Sequence, residues 1–136
     1  MELDHIAVNA SDPLRLVAFY VDVLGLTPMR VTEYERGDVP FPSVRIGRSS
    51  ILDFFPFDEH SSEGIAPGER LNHFCFAIES TMWTGMLKRL KAYGVEIITG
   101  PAKRFGARGM GESVYFHDPE GNVVELRHYP QEGAGT

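Results

Sequence analysis

The sequence has little of several features that define other protein classes. It contains a single cysteine, Cys75, so no disulfide can form within the chain, and a reducing compartment fits. No apolar run approaches the roughly 18 residues that a membrane span requires, and no apolar signal segment stands at the start of the chain. We therefore expect a cytoplasmic protein that has no contact with a membrane.

Positive charge is also scarce. The chain has 13 Lys and Arg against 19 Asp and Glu, which gives a net charge of −6. A nucleic-acid-binding surface needs clustered positive charge to displace counterions, so we expect no nucleic-acid partner. The 136 residues are 43% hydrophobic and 24% charged, as in an ordinary globular protein. This length suits one domain or two small repeats.

A repeated pattern is the most informative feature that is present. "LDHIAVNASDP" begins at Leu3 and "LNHFCFAIEST" begins at Leu71, each with a histidine inside an apolar segment. Alternation of apolar residues predicts a strand. The following Ser, Asp or Thr residues favour a helix N-cap, and Pro13 suits a first helical turn. Helical spacing then continues to Gly25 in the first copy and to Gly94 in the second.

Strand-like segments follow each helix. They are "SVRIG" and "SSILDFF" in the first half, and "VEIITG", "SVYFHD" and "NVVELRHY" in the second, where "DPEG" predicts a hairpin turn. We predict an α+β fold of two βαβββ modules, at about residues 1–57 and 70–130. The modules form a single domain over residues 1–130, and residues 131–136 are expected to be a disordered tail.

Four polar side chains interrupt the predicted strands at equivalent places. His5 and His73 lie in the first strand of each module, and Asp53 and Glu125 lie in the last. A carboxylate among apolar neighbours is costly unless a partner satisfies it. Two imidazoles and two carboxylates suit one Fe, Mn, Ni, Co or Zn ion. For Asp53 the alternative is a charge on an edge strand that deters aggregation.

Further candidates lie nearby in the second half. Tyr115 and His117 share one face of the penultimate strand, where they form either an acid–base pair or a solvated surface. The glycine-rich segment "TGPAKRFGARGMGE" predicts a flexible lid whose Lys103, Arg104 and Arg108 bind an anionic group of a small-molecule substrate. The alternative for this segment is a solvated loop.

Three stretches carry a resemblance to a known superfamily. They are "LDHIAVNASDPLRLVAFYVDVLGL", "LNHFCFAIES" and "SVYFHDPEGNVVELRHY". Together they resemble the vicinal oxygen chelate superfamily, which includes glyoxalase I, extradiol dioxygenases, methylmalonyl-CoA epimerase, fosfomycin-modifying thiol transferases and bleomycin-binding proteins. The end of the chain looks closest to glyoxalase-domain-containing proteins of unassigned reaction.

The resemblance implies a metal site and an assembly. By resemblance, His5, His73 and Glu125 match the metal ligands common to most metal-bearing members. Asp53 falls at the fourth ligand position of glyoxalase I, where that enzyme has Glu. The resemblance also implies a homodimer in which each site is built from both chains.

The resemblance leaves several activities open. Asp53 favours metal-assisted proton transfer, as in a lyase or isomerase, on a small substrate with vicinal oxygens, with Asp53 or Glu125 as the base. The alternative is Fe(II)-dependent extradiol dioxygenation of a catechol, aided by Tyr115 and His117. "GESVYF", with Ser113 and Tyr115, resembles the substrate-binding stretch of fosfomycin thiol transferases. Bleomycin resistance proteins, which bind a drug without catalysis, are a further alternative.

Overall fold

The computed structural model describes residues 2–57 and 71–133. The chain divides into two compact units, residues 1–69 and 70–136, here called the first and second module. Each contains one four-stranded sheet. Within the described residues, no helix has the length and apolar character needed to cross a membrane.

The first module begins with a strand and a helix and then completes its sheet. Its elements are β1 (His5–Ala10), α1 (Pro13–Asp22), β2 (Thr27–Met29), α2 (Val31–Glu35), β3 (Ser43–Arg45) and β4 (Ile51–Pro56). The strand order is β1-β4-β3-β2. β1 runs parallel to β4, and the other neighbouring pairs are antiparallel.

The second module repeats this topology. Its elements are β5 (Phe74–Ala77), a 3-10 turn (Ser80–Met82), α3 (Trp83–Ala92), β6 (Thr99–Gly106), β7 (Gly109–His117), β8 (Val123–His128) and α4 (Pro130–Gly133). The strand order β5-β8-β7-β6 has β5 parallel to β8, like β1 and β4. The prediction of an α+β fold built from two βαβββ modules is therefore confirmed.

Helix α1 begins where the sequence predicts it and ends shortly before Gly25. The Asp12 side chain accepts a hydrogen bond from the Arg15 backbone N–H at 3.2 Å, which caps the helix start beside Pro13. Gly25 then takes a left-handed φ of +77°, which favours glycine just after a helix. The buried Tyr20 stacks on Phe54 of β4 with ring centroids 5.5 Å apart, so the helix covers the sheet.

The same alternation sorts the strands of the second module into two faces. Phe74, Phe76, Val124 and Leu126 are buried on the apolar face. The predicted turn between β7 and β8 is also confirmed, because the Gly121 backbone N–H donates to the Asp118 carbonyl at 3.0 Å. The opposite face of the sheet is therefore the one that carries the polar candidates.

The glycine-rich basic segment differs from its prediction. It is not a flexible lid or a loop: it forms strands β6 and β7, joined at residues 107–108. The strand predicted from "VEIITG" begins only at Thr99. The glycines and charged residues of this segment predicted a loop. Pairing between strands, which depends on residues far away in the sequence, overrides the weak strand preference of these residues.

Other corrections concern short or marginal elements. Strand β2 and helix α2 were not located from sequence. Helix α4 includes residues 131–133 of the predicted disordered tail, and residues 134–136 lie outside the described residues. Asp53 is not an edge-strand charge, because β4 lies between β1 and β3 and Asp53 is only 7% exposed.

Candidate functional site

Glu125 is the centre of the polar face of the second module. It lies on β8 and is 4% exposed, between Val124 and Leu126, which point to the apolar face. Its Oε2 accepts hydrogen bonds from the Ser113 hydroxyl at 2.6 Å and from Arg127 Nη1 at 3.2 Å. Burying a carboxylate is costly without such donors, so these two contacts make the position tolerable.

The remaining oxygen of Glu125 faces an imidazole. His73 Nε2 lies 3.0 Å from Glu125 Oε1, and its side chain is 35% exposed while that of Glu125 is 5% exposed. The other ring nitrogen, Nδ1, lies 2.6 Å from Asn72 Oδ1. Because an amide oxygen only accepts, this contact is a hydrogen bond in the tautomer that carries a proton on Nδ1. Nε2 then faces the carboxylate through a lone pair when the ring is neutral and through an N–H when the ring is charged.

Hydrogen bonds and neighbouring charges keep Glu125 ionised. Burial by itself would raise its pKa, but the hydrogen bonds from Ser113 and Tyr115 and the charges of Arg127 and His73 together lower the pKa below 4.5. At neutral pH the side chain is a carboxylate, the form that binds metal ions.

Tyr115 completes this cluster. It pairs directly with Glu125 across β7 and β8, and its ring packs edge-on against the His73 ring with centroids 5.7 Å apart. Burial, the charge of Glu125 and the hydrogen bond to Glu125 raise the pKa of Tyr115 above 10. The phenol therefore stays protonated at neutral pH and is a hydrogen-bond donor.

The first module has an equivalent but simpler arrangement. In register, Asp53 takes the place of Glu125, since Ala7 pairs with Asp53 in β1–β4 as Cys75 pairs with Glu125 in β5–β8. Asp53 Oδ1 accepts a hydrogen bond of 2.6 Å from the buried hydroxyl of Ser43. An inward acid held by a serine thus occurs in both modules.

His5 is oriented in the same way as His73. Its Nδ1 lies 2.7 Å from Asp4 Oδ2, and its side chain is 51% exposed. The hydrogen bond that His5 donates to Asp4, together with the charges of Asp53 and Asp4, raises the pKa of His5 above 6.5 against the opposing effect of desolvation. In each module, the residue before the histidine engages Nδ1 and leaves Nε2 for another partner.

These donors fit a divalent cation. Hydrogen bonding of Nδ1 is the usual way in which proteins orient a histidine that binds metal through Nε2. Two ligands at about 2.1 Å from one metal and at right angles lie about 3 Å apart, which matches the 3.0 Å between His73 Nε2 and Glu125 Oε1. Among residues 2–57 and 71–133, no group of three or more His, Cys, Asp or Glu is placed to hold a metal ion.

The three predicted basic residues separate onto different surfaces. Arg104 pairs with Gly111 and lies over the Tyr115 ring at 6.0 Å, on the polar face. Lys103 pairs with Glu112, which points to the other face. Arg108 makes an ion pair of 3.0 Å with Glu132, away from the cluster.

Ser113 and His117, two further residues predicted for the site, both lie on strand β7. Ser113 uses its single hydroxyl proton on Glu125, so it holds the carboxylate. His117 is exposed at the end of β7, opposite Val123. The structure thus brings Tyr115 and Ser113 to Glu125.

Sequence reasoning missed several residues of the cluster. Ser43, Asn72 and Arg127 contact the predicted acids or histidines, but no motif marked them. The alternation of β8 did place Arg127 on the face of Glu125. Only the register of β7 against β8 shows which partners face these positions.

Comparison with known proteins agrees with this fold. Residues 2–126 match the model of the glyoxalase/bleomycin resistance protein/dioxygenase superfamily. The glyoxalase domain-containing protein RDO1 of Mycosarcoma maydis is 28% identical over 127 residues, which cover 93% of this chain and 68% of that protein.

Two solved structures have the same fold. An integron cassette protein of V. cholerae superposes with a TM-score of 0.75 at 26% identity, covering 95% of both chains. FosX of Listeria monocytogenes, a fosfomycin resistance protein crystallised in a mutant form with Mn(II) and 1S,2S-dihydroxypropylphosphonic acid, superposes with a TM-score of 0.68 at 21% identity. The overlap covers 98% of this chain and 96% of FosX. The present chain belongs to the glyoxalase/bleomycin resistance protein/dioxygenase superfamily.

Proposed function

We propose that this protein is a divalent-metal-dependent enzyme that catalyses proton transfer, as a lyase or isomerase, on a small substrate with vicinal oxygens. His73 and Glu125 are two ligands of one Fe, Mn, Ni, Co or Zn ion. His5 is the third ligand and Asp53 the fourth. The first and second modules that supply these pairs belong either to one chain or to two chains of a homodimer.

One observation carries the proposal. His73 Nε2 and Glu125 Oε1 lie 3.0 Å apart, while Nδ1 and Oε2 are engaged by other partners. Two lone pairs directed at each other repel unless a proton or a metal ion lies between them. A metal ion bound by both atoms satisfies them together.

The first module supports the proposal by repetition. Asp4 engages His5 Nδ1 as Asn72 engages His73, and Ser43 holds Asp53 as Ser113 holds Glu125. A structural role for one histidine would not require a matched orienting group in the other module.

The chain's own residues have distinct roles in this proposal. When held by these residues, a divalent ion would supply Lewis acidity that makes a C–H next to the substrate oxygens more acidic. Glu125, whose carboxylate accepts several hydrogen bonds, is a ligand and a weak base. Asp53, on its shorter side chain, is the proton acceptor. Tyr115 is protonated at neutral pH and donates its one hydroxyl proton to Glu125, so it would have to turn from that carboxylate to donate a hydrogen bond to a substrate oxygen.

An anionic substrate is favoured by Arg104. Its guanidinium lies over Tyr115 on the face that also carries Glu125. Arg108 is a secondary candidate for binding the same substrate, whereas Lys103 lies on the opposite face of the sheet. Arg108 would first have to leave its ion pair with Glu132.

The second candidate function is Fe(II)-dependent extradiol dioxygenation of a catechol. Two histidines and one carboxylate form the ligand set of many non-haem iron oxygenases. Contact of Tyr115 with both His73 and Glu125 favours this candidate, because it adds a proton donor beside the ligands.

Metal binding and a substrate panel test these proposals together. We expect purified protein to bind one equivalent of Mn²⁺, Ni²⁺, Zn²⁺, Co²⁺ or Fe²⁺ per chain, and His73→Ala to abolish binding. The panel contains 2-oxoaldehydes with and without thiols, catechols with oxygen, and fosfomycin. Turnover of catechol alone would favour the dioxygenase, and thiol-dependent loss of fosfomycin would favour a thiol transferase. Tight binding of bleomycin without metal binding would favour a drug-binding protein.

A further inference from the structure

Arg127 is a buried arginine that contacts the β6–β7 hairpin next to its turn. It is 4% exposed and lies two residues after Glu125 on the same face of β8. Its guanidinium donates to the backbone carbonyl oxygens of Arg104 at 2.8 Å, Phe105 at 3.2 Å and Gly109 at 3.3 Å. A further hydrogen bond of 3.2 Å reaches Glu125 Oε2.

Two glycines leave the room that this guanidinium occupies. A Cβ atom added at Gly106 or at Gly111 would overlap the Arg127 guanidinium. Neither glycine needs a left-handed φ. Their lack of a side chain is therefore explained by close approach of Arg127 and, at Gly111, also of the His128 carbonyl oxygen.

The contacts of Arg127 join the hairpin backbone to the carboxylate. Arg127 and Ser113 both occupy Oε2 of Glu125, so Oε1 alone faces His73. The same guanidinium is bound to the carbonyl of Arg104, the residue whose side chain lies over Tyr115. In the first module the residue two positions after Asp53 is Phe55, which is 38% exposed. An arginine at this position therefore occurs in the second module and not in the first.

We propose that Arg127 is a positioning residue that presents a single oxygen of Glu125 to the metal and couples the orientation of this carboxylate to the β6–β7 hairpin. The proposal rests on the proposed role of Glu125 as a metal ligand. Arg127 itself touches neither metal nor substrate. Its planar fork can hold a carboxylate and carbonyl oxygens at once, which the point charge of lysine cannot do.

The first test uses Mn²⁺ alone as the probe. We expect Arg127→Met to weaken Mn²⁺ binding at least tenfold in calorimetry, measured on protein shown to be folded by circular dichroism, with partial recovery in Arg127→Lys. Arg89→Met, an exposed arginine on α3, is the matched control and keeps the wild-type affinity. A folded Arg127→Met variant with wild-type affinity would overturn the positioning role.

The second test needs no metal. We expect Glu125→Gln to raise amide hydrogen exchange at residues 104–109 several-fold in metal-free protein, because the variant weakens the hold on Arg127. Unchanged exchange there would overturn the coupling between carboxylate and hairpin. Wild-type protein that binds no divalent metal would instead overturn the proposed function, so the two failures are distinguishable.

Discussion

The two modules share a topology but surround their central acids differently. Asp53 in the first module is held by the Ser43 hydroxyl. Glu125 in the second is held by Ser113, Arg127 and Tyr115, and faces His73. Both acids are buried, at 7% and 4% exposure. The difference teaches that one repeat unit can yield a fixed, ionised carboxylate in one copy and a less constrained acid in the other.

The largest expected effect concerns the thiol beside Glu125. Desolvation and the charge of Glu125 raise the pKa of Cys75 to about 12, although the residue is exposed. Since only the thiolate reacts, we expect alkylation by iodoacetamide at pH 8 to be about 10³-fold slower in native than in unfolded protein. Mass spectrometry of timed samples measures the rate.

The equivalent position in the first module sharpens this comparison. Ala7 pairs with Asp53 as Cys75 pairs with Glu125. A double variant Ala7→Cys, Cys75→Ser should be alkylated at least tenfold faster than native Cys75. Equal rates would mean that the two acids affect a neighbouring thiol alike.

The next largest expected effect is a difference in Mn²⁺ affinity between variants of Glu125 and variants of Asp53. We expect Glu125→Gln to weaken Mn²⁺ binding about 100-fold or more, and Asp53→Asn only about tenfold, because Glu125 is held ionised by several donors. Titration calorimetry at pH 7 on both folded variants measures the difference. A larger loss in Asp53→Asn would reverse the assigned ranking of the ligands.

The two serines should differ in their effect on stability. A buried hydrogen bond to a charged group contributes about 2 kcal/mol. We expect Ser43→Ala to lower the free energy of unfolding by about 2 kcal/mol and Ser113→Ala by about 1 kcal/mol, since Glu125 keeps Arg127 as a donor. Urea unfolding of metal-free protein measures both, and equal losses would contradict this distinction.

The smallest expected effect is a dependence of stability on pH. The pKa of Glu125 is lowered below 4.5 in the folded protein, so its stabilising contribution is present above pH 4.5 and is lost as the pH falls through the lowered value. Glutamine does not titrate. The stability difference between wild type and Glu125→Gln should therefore shrink on acidification from pH 6 to pH 3, in metal-free urea unfolding. A stability difference that stays constant between pH 6 and pH 3 would contradict a lowered pKa of Glu125.

Much of the fold could be predicted from local patterns. The capping residue Asp12, the apolar spacing of α1 and the glycine after it mark that helix, and "DPEG" marks the β7–β8 turn. Strand β2 was not predicted from these patterns, and β6 was predicted to begin before its observed start at Thr99. β2 spans three residues, and β6 carries glycine and charge that local propensity assigns to loops, so their pairing partners had to be known.

The candidate site was predicted only in part. Repetition identified His5, His73, Asp53 and Glu125, because alternation shows which residues share a face of a strand. Arg127 was visible on that face, but its contacts with the carbonyl oxygens of a neighbouring hairpin were not. Those contacts depend on how far the guanidinium extends across β7 and on the space left by Gly106 and Gly111.

The sequence by itself determined the duplication, the two-faced strands and the equivalence of Asp53 and Glu125, because periodicity and capping act over a few neighbouring residues. Only the tertiary structure decided that Asp53 lies on an inner strand, that Arg104, Lys103 and Arg108 lie in different surroundings, and that Glu125 is clamped by Ser113 and Arg127. Strand order and register join residues far apart in the chain, and such contacts follow from packing of the whole module.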